Sequence, residues 1–280
     1  MNDTDDWFDV DRINDHTWRI GEAAVFNDYL FVGDERALVL DGSVGVGDLR
    51  ALVDDLVGVP VEMIPTHTHW DHMGCAHQFE DVRVHPIERT PDGGIDPYYV
   101  AAEFNFGPAD WLREFPAAGG EFPDGFAPES FEIKPIEGVG TVEGGDVIDL
   151  GGRELEIFHL PGHCPGQLGA LDRERGDLYA GDVLHFEHDL FLHFDGCDLE
   201  DNLETYGRLR ELKDDGVFDT LFTAHNRPIE GEDLSIIDEY HEAQQAILND
   251  ELEWEHNDEH PPGRVYEVAG NEIITKPDVT

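Results

Sequence analysis

A chain of 280 residues is long enough for one large domain or two small ones with a sizeable core. It carries 64 acidic residues against 17 basic ones, and the formal net charge of −47 argues against nucleic-acid or anionic-membrane partners. Because 40% of the residues are hydrophobic and they recur periodically, the composition also excludes a disordered chain.

The acidic residues recur through every segment and are not gathered into one tail. We interpret this excess as a solvated surface suited to very high salt, and so as a halophilic protein. At molar ionic strength the screening length falls to about 3 Å, so the repulsion between surface carboxylates is damped.

Cysteine usage and the N-terminal residues indicate the compartment. Three cysteines without pairing spacing fit a reducing environment. Met1–Asp6 is acidic and lacks the basic and then apolar order of a signal peptide. No run approaches the roughly 18 apolar residues needed to span a membrane, so we expect a cytoplasmic protein.

The first part of the chain predicts strands followed by a helix. The strand-like runs are Trp18–Ile20, Ala24–Phe26, Tyr29–Val32 and Ala37–Leu40. Asn27-Asp28 and other turn residues separate them. Val46–Val57 then places apolar residues three and four positions apart, which predicts a helix, and Val61–Ile64 predicts the next strand.

The densest run of candidate ligands follows the strand-like run Val61–Ile64. His67 and His69 would share one face of an extended segment, because successive side chains point to opposite faces. Asp71 and His72 come where the strand should end, so they can approach the same point from another side. Imidazole and carboxylate suit zinc and similar metals, so we interpret this run as a metal site rather than a histidine-rich surface loop.

Residues 88–140 differ from the rest, because they are rich in proline, glycine and aromatic residues and contain no metal-binding motif. We interpret them as an insertion that shapes a substrate pocket, and a satellite core packed under a long loop is the alternative. The aromatic residues are Tyr98, Tyr99, Phe104, Phe106, Trp111, Phe115, Phe122, Phe126 and Phe131.

The second half again places polar side chains after predicted strands. Gly151-Gly152 predicts a hairpin between the strands 146–150 and 154–159, and His163 follows the second of them. A second hairpin ends at Gly181-Asp182, and a strand at 220–223 precedes His225. Apolar spacing predicts a helix beginning near Leu199 and a long helix over 234–254.

In this order, the histidine run, Gly162–Gly166, Gly181-Asp182 and Ala224-His225 resemble the motifs of the metallo-β-lactamase superfamily of hydrolases. The resemblance spans roughly 18–227. It implies an α/β fold, the four-layer αββα sandwich of that superfamily. We therefore expect an acidic N-terminal tail at 1–15, a metallo-β-lactamase-like domain at 16–260 with the insertion at about 88–140, and a C-terminal tail or small hairpin at 261–280.

Carried over residue by residue, the resemblance implies two divalent metal ions, with zinc expected and iron or manganese as alternatives. The implied ligands of the first ion are His67, His69 and His163. Those of the second ion are Asp71, His72 and His225, and Asp182 would bridge the two. Asp41 would lie beside the site and hold a ligand in place, and a plain turn aspartate is the alternative.

The same resemblance implies the chemistry of hydrolysis, with a hydroxide held between the ions as the nucleophile. Asp71 would orient it and pass a proton to the leaving group. His185, three residues after Asp182, is our candidate for polarising the substrate, and a surface histidine is the alternative. Cys75 and Cys164 flank ligands, and we interpret them as packing residues, with a soft metal ligand as the alternative.

We expect a small-molecule ester, thioester or lactone as the substrate. A phosphodiesterase is a weaker alternative, because the chain lacks a basic surface. With only Lys134, Lys213 and Lys276 as lysines, the chain also lacks a cluster that could hold an acidic glutathione tail. A mononuclear iron persulfide dioxygenase and an inactive binding module are further alternatives, although inactive relatives usually lose ligands and none is lost here. The sequence does not indicate an oligomeric state.

The acidic surface predicts a salt-dependent stability. We expect the melting temperature to rise when KCl is raised from about 0.1 M to about 1 M, since the screening length shrinks from about 10 Å to about 3 Å. Thermal unfolding followed by circular dichroism measures this, and NaCl at equal ionic strength should have the same effect. A melting temperature that stays level or falls with salt would contradict the interpretation.

Overall fold

A computed structural model gives the structure of the chain and describes residues 7–97, 107–185, 188–257 and 262–279. Contacts divide the chain into two units. The first holds the described residues up to 97, together with 107–142 and 147–154. The second holds 143–146 and the described residues from 155 onward.

The regular elements of the described residues are α-helices and β-strands. The helices are α1 Leu49–Leu56, α2 Trp70–Met73, α3 Pro108–Ala117, α4 Leu199–Asp214 and α5 Ile236–Leu248. The first strands are β1 Phe8–Asn14, β2 Thr17–Glu22, β3 Phe26–Val32, β4 Ala37–Leu40, β5 Val61–Ile64, β6 Arg83–Val84, β7 Gly140–Thr141 and β8 Val147–Asp149. The later strands are β9 Glu154–His159, β10 Leu168–Asp172, β11 Asp177–Tyr179, β12 Leu190–Leu192, β13 Thr220–Phe222, β14 Ile229–Glu230, β15 Glu255–Asn257, β16 Gly263–Val268 and β17 Asn271–Thr275.

The first unit is built on a five-stranded sheet with the order β1-β2-β3-β4-β5. Its strands are antiparallel except for β4 and β5, which run parallel with Leu40 opposite Ile64. A parallel pair needs a crossover, and α1 supplies it with Leu49 and Val53 buried four positions apart. As a result, the C-terminal ends of β4 and β5 lie at the same edge of the sheet.

Two predictions for the first strands are wrong. Asn27 and Asp28 are not turn residues but lie inside β3, and the turn falls at Ala23 and Ala24, which have φ angles of 55° and 57°. The buried polar side chains find partners, since Asn27 accepts a hydrogen bond from Arg19 and Asp28 accepts two from Ser43. Tertiary partners therefore override the local turn preference of the Asn-Asp pair.

The acidic N-terminal segment also differs from expectation. We expect a loosely held tail at 1–15, whereas residues 8–14 form β1, which pairs antiparallel with β2. Alternation explains the difference, because Phe8 is buried while Asp9 and Asp11 point outward and bind Arg19.

The described part of the insertion includes the α-helix α3 and a run of aromatic side chains. Among the predicted aromatics, Tyr98, Tyr99, Phe104 and Phe106 lie outside the described residues. In the described part, α3 carries Trp111 and Phe115, whose rings stack with centroids 5.1 Å apart. Pro108 occupies the first turn of α3, where the missing N–H costs nothing.

The second unit is built around a buried core and two sheets. Within this unit, β14-β13-β11-β10-β9 lie in that order in one sheet, and the other sheet has the order β12-β17-β16-β15. The parallel pair β11 and β13 again brings two strand ends to one edge, here those before Asp182 and His225. Tyr206 of α4 and Tyr240 of α5 are fully buried in the core, with ring centroids 6.0 Å apart.

The last predicted helix is shorter than expected. α5 ends at Leu248 rather than near Trp254, with Asn249 as its C-cap and Asp250 at a φ of 56°. Acidic residues crowd the segment after Leu248, and negative charge is unfavourable at a helix C-terminus. Within the part of the chain that the structure describes, no helix has the length and apolarity to cross a membrane.

Candidate metal centre

In the first unit, the histidine-rich run follows the C-terminal end of β5. Asp41 follows the C-terminal end of the neighbouring strand β4 and lies beside this run. The N–H of Asp41 donates to the Ile64 carbonyl over 3.1 Å, which continues the parallel pairing one residue further. The Asp41 side chain then turns toward Thr66, since Oδ1 accepts from its N–H at 2.7 Å and its hydroxyl at 2.9 Å. Asp41 has a φ of 67°, a left-handed conformation that aspartate tolerates better than most residues.

Buried carboxylates hold the two threonines that alternate with the histidines. Asp41 accepts hydrogen bonds from Thr66, and Glu88 accepts from the N–H of Thr68 at 3.2 Å and its hydroxyl at 2.5 Å. All these side chains are buried. The threonines are thereby held by carboxylates, while the rings of His67 and His69 lie with centroids 4.3 Å apart.

Helix α2 brings the third histidine of the run, His72, and Asp71 close to His67. The rings of His72 and His67 lie with centroids 4.0 Å apart. Nδ1 of His72 lies 3.2 Å from Oδ2 of Asp41, and its Nε2 lies 3.9 Å from Oδ1 of Asp71. A carboxylate can only accept at that distance, so Asp41 favours the ring form whose proton is on Nδ1 and whose Nε2 can bind a metal.

The loop 42–47 packs against α2 and is hydrogen-bonded to it. Gly42 donates its N–H to the His72 carbonyl over 2.9 Å, and Gly74 donates to the Ser43 carbonyl over 2.9 Å. The chains approach so closely that a Cβ on Gly74 would lie 1.9 Å from the Val44 oxygen, so only glycine fits. This loop therefore fixes the position of the helix that carries Asp71 and His72.

A buried glutamate holds that loop in turn. The Glu22 carboxylate accepts from the N–H groups of four successive residues, at 2.8 Å from Val44, 3.3 Å from Gly45, 3.1 Å from Val46 and 3.1 Å from Gly47. Burial raises the pKa of Glu22, and these hydrogen bonds oppose the rise. Burial likewise raises the pKa of Asp28 well above its usual range.

The second unit gathers its histidines around Asp182, which lies in a short 3₁₀ turn after β11. His225 Nε2 lies 3.2 Å from Oδ1 of this carboxylate, and His185 Nε2 lies 3.5 Å from the same oxygen. His163 Nε2 lies 3.7 Å from the other oxygen, Oδ2. The ligand atoms of Asp182, His185 and His225 all lie within 4.8 Å of one another, a spacing that lets one ion contact them together.

His185 is 5% exposed, so it is not the surface histidine of our alternative interpretation. The donor sets of both units consist of imidazole nitrogens and carboxylate oxygens, and most of these side chains are buried. This is the chemistry that zinc and other first-row divalent metals prefer, so the residues present fit such ions.

The cysteines are buried, and two of them donate to backbone carbonyls. Cys75 Sγ lies 3.7 Å from the Gly47 oxygen, and Cys197 Sγ lies 3.0 Å from the His163 oxygen. Among the described residues, no cysteine belongs to a set of side chains close enough to share an ion. These contacts favour packing over the alternative of a soft metal ligand.

Sequence reasoning missed the residues that support the predicted ligands. Glu22, Asp28 and Glu88 are separated along the chain, and their common signal is a carboxylate inside or beside an apolar run. For Thr66 and Thr68 the sequence offered a local indication of a supporting role, because each directly precedes a histidine and has a hydroxyl that can donate to a carboxylate. Neither signal identifies the partner, which tertiary structure alone provides.

Comparison with known proteins agrees with these motifs. The family model of the metallo-beta-lactamase superfamily matches residues 26–218. The chain belongs to the metallo-beta-lactamase superfamily. The motif resemblance and the predicted α/β fold of that superfamily are thereby confirmed, and solved structures of similar fold agree.

Among curated proteins, the acyl-coenzyme A thioesterase MBLAC2 of Bos taurus is 29% identical over 211 residues, which cover 71% of this chain and 72% of that protein. Among solved structures, a metallo-beta-lactamase from Pontibacter korlensis has a TM-score of 0.55 at 14% identity and covers 85% of this chain and 99% of its own. The sec-alkylsulfatase Pisa1 from Pseudomonas sp. has a TM-score of 0.62 at 17% identity, with 87% of this chain and 42% of that chain covered.

The superfamily and the thioesterase-named relatives support a metal-dependent hydrolase. In agreement with this class, the chain has histidine and aspartate groups able to bind a metal.

The buried thiols should be unreactive in the folded protein. Burial raises the pKa of Cys75 well above its usual range and that of Cys197 to about 12, so at pH 8 the reactive thiolate is scarce. We expect iodoacetamide to label neither thiol in native protein and both in denaturant, as read by mass spectrometry. A thiol that binds metal would instead become labelled when a chelator is added to folded protein.

Proposed function

We propose that this chain is a divalent-metal-dependent hydrolase of small-molecule esters, thioesters or lactones whose acyl side is apolar. The observation that carries the proposal is the pair of histidine and carboxylate sets in the two units, with the ring nitrogens of His72 and His163 held by fixed partners. Membership of the superfamily supports a metal centre built from these side chains.

The residues proposed to hold two divalent ions, with zinc expected, are those that the superfamily pattern implies. They are His67, His69 and His163 for one ion, Asp71, His72 and His225 for the other, and Asp182 for both. When bound, such ions supply a nucleophilic water at neutral pH and stabilise developing negative charge. Asp41 is the proposed positioning residue, because its carboxylate contacts both Thr66 and His72.

Asp71 is proposed to handle protons during the reaction. Its side chain is 16% exposed, more than that of His72 at 1%, so it can reach both the site and an entering substrate. Water adds to the acyl carbon, the bond from that carbon to oxygen or sulfur breaks, and the proton released by water passes through Asp71 to the leaving group. In its imidazolium form, which carries an N–H on both ring nitrogens, His185 is proposed to polarise the substrate by donating from Nε2, which lies 3.5 Å from Oδ1 of Asp182.

That the acyl group of the substrate is apolar is inferred from a series of aromatic side chains, the first of which lies within the metal-binding motif. Trp70 lies between His69 and Asp71, and its ring centroid is 6.0 Å from that of Phe26. From Phe26 the contacts continue to Trp111 at 5.8 Å, and then along the insertion at 4.9–5.4 Å. We call this set the aromatic series, and its members are Trp70, Phe26, Trp111, Phe115, Phe122, Phe126 and Phe131.

The aromatic series is graded in burial. Trp70, Phe26 and Trp111 are buried, whereas Phe115, Phe122, Phe126 and Phe131 are only partly buried. A satellite core alone would bury its rings fully, so partly open rings leading to Trp70 favour a surface that receives an apolar group. The thioesterase names of the relatives support an acyl thioester among the possible substrates.

Metal dependence is the first test. Protein freed of metal with a chelator should lose hydrolysis of p-nitrophenyl esters, lactones and acyl thioesters, and added zinc or manganese should restore it. His67→Ala and Asp182→Asn should each lower kcat/KM by at least about a hundredfold, because a lost ligand removes the ion that activates water. His16→Ala, at an exposed histidine, is the matched control and should be unchanged.

Two outcomes would contradict the proposal. One is full activity in metal-free protein. The other is bound iron with oxygen consumption on a persulfide and no hydrolysis of any ester, lactone or thioester. A preference for bis-p-nitrophenyl phosphate over all carbonyl substrates would reject the substrate class while keeping the metal-dependent hydrolase.

Acyl-chain selectivity tests the aromatic series. The ratio of kcat/KM for octanoyl over acetyl thioesters of N-acetylcysteamine should fall about tenfold in Phe122→Ala, since lost apolar contact costs long chains more than short ones. Trp254→Ala removes an aromatic residue that is 44% exposed outside the series, and it should leave the ratio unchanged. An equal loss for both chain lengths in Phe122→Ala would contradict an acyl-binding role.

A further inference from the structure

Two histidines of the second unit are oriented by backbone carbonyls of one short segment. Nδ1 of His163 donates to the Phe191 carbonyl over 3.0 Å, and Nδ1 of His185 donates to the Asp189 carbonyl over 3.0 Å. A carbonyl oxygen can only accept, so both neutral rings carry their proton on Nδ1. In both, Nε2 is then the basic nitrogen, and it lies 3.7 Å and 3.5 Å from the Asp182 carboxylate.

The two carbonyls belong to alternate residues, Asp189 directly before β12 and Phe191 in the middle of β12. Carbonyls of residues two apart on a strand point to the same side, so the strand presents both acceptors together. A shift of β12 by one residue would turn these carbonyls away and replace them with that of Leu190. The orientation of both imidazoles therefore depends on the register of a strand of three residues.

A strand this short needs external support, and the C-terminal hairpin of β16 and β17 supplies it. β12 pairs in parallel with β17, with Leu190 opposite Ile273 and Leu192 opposite Thr275. The Asp189 carboxylate accepts from the N–H of Glu272 over 3.0 Å, which joins the residue before β12 to β17. β17 in turn pairs along its whole length with β16.

A second set of hydrogen bonds connects Lys276, the residue directly after β17, to His163. Nζ of Lys276 donates to the Cys197 carbonyl over 2.6 Å, and Cys197 Sγ donates to the His163 carbonyl over 3.0 Å. The C-terminal hairpin and the residue after it thus contact the segment that orients the two histidines at Asp189, and contact His163 through Cys197. It lies beyond residue 218, where the match to the superfamily model ends.

We propose that the C-terminal hairpin is a positioning element for metal binding, which holds β12 in register so that His163 and His185 present Nε2 toward Asp182. The proposal rests on the metal-binding part of the proposed function and not on its substrate. Asp189 and Lys276 act through other groups and are positioning residues. Their role differs from general stabilisation, because it predicts a loss of metal affinity in protein that remains folded.

The test measures zinc affinity of metal-free protein by competition with a chromogenic chelator, and Co²⁺ binding by its visible absorbance. Asp189→Ala and Lys276→Ala should each weaken zinc binding about tenfold or more, in the range typical of lost partners of metal-binding histidines. Asp189→Asn and Lys276→Arg keep an acceptor and a donor, so they should bind zinc within about twofold of the unchanged protein. Glu267→Ala, at an exposed residue of the same hairpin, is the matched control.

Histidine ¹⁵N NMR of metal-free protein gives a reading that needs neither metal nor activity. In the unchanged protein, both His163 and His185 should show the proton on Nδ1, and Asp189→Ala should give a mixture of the two ring forms for His185. A neutral ring of either histidine with its proton on Nε2 in unchanged protein would overturn the proposal, even if the variants failed to fold. Unaltered zinc affinity in folded Asp189→Ala and Lys276→Ala would also overturn it.

The outcomes also separate this inference from the proposed function. Weakened zinc binding in the alanine variants, together with no hydrolysis of any substrate by the unchanged protein, would support the hairpin's role and reject the enzyme. Hydrolysis with unaltered zinc affinity in the variants would support the enzyme and reject the hairpin's role.

Discussion

The need to satisfy buried carboxylates organises this structure. Asp41, Glu88 and Glu22 lie in the interior of the first unit, where an unpaired carboxylate would cost several kcal/mol. Each is surrounded by N–H and O–H donors from the loops at the strand ends. The donors belong to Thr66 and Thr68, which alternate with the histidines, and to the loop 42–47, which contacts α2. The hydrogen bonds that satisfy the carboxylates therefore also restrict the positions of the histidines in the candidate centre.

The chain uses its acidic residues in two opposite ways. Most of its 64 carboxylates contribute to the net charge of −47, and many of them lie at exposed positions. A few are buried, and there the low dielectric makes each hydrogen bond stronger and each missing one more costly. Burial raises the pKa of Glu22 and Asp28, and the neighbouring Glu22 and Asp41 carboxylates add to the rise at Asp28. The same residue type therefore carries charge at the surface and orients neighbouring groups in the interior.

The two units orient their imidazoles with different hydrogen-bond acceptors. In the first, a side-chain carboxylate, Asp41, contacts Nδ1 of His72. In the second, backbone carbonyls beside and within β12 accept from Nδ1 of His163 and His185. A carboxylate adds charge that favours a cation nearby, whereas a carbonyl adds direction at little electrostatic cost. Both choices leave Nε2 as the nitrogen available to a metal.

The sequence by itself determined the superfamily, the α/β class and the candidate ligands, because those signals are local: a run of four candidate ligands within six positions, and single histidines or aspartates after strands. It could not determine what holds the ligands, since Glu88 reaches Thr68 across 20 positions and Phe191 reaches His163 across 28. A backbone carbonyl has no residue identity, so no pattern could have indicated Phe191 or Asp189. The turn at Ala23-Ala24 and the burial of Asp28 were likewise decided by tertiary partners, which lie far apart along the chain. The early end of α5 has a local cause, because acidic residues follow Leu248 directly, and apolar spacing alone does not take the charge at a helix end into account.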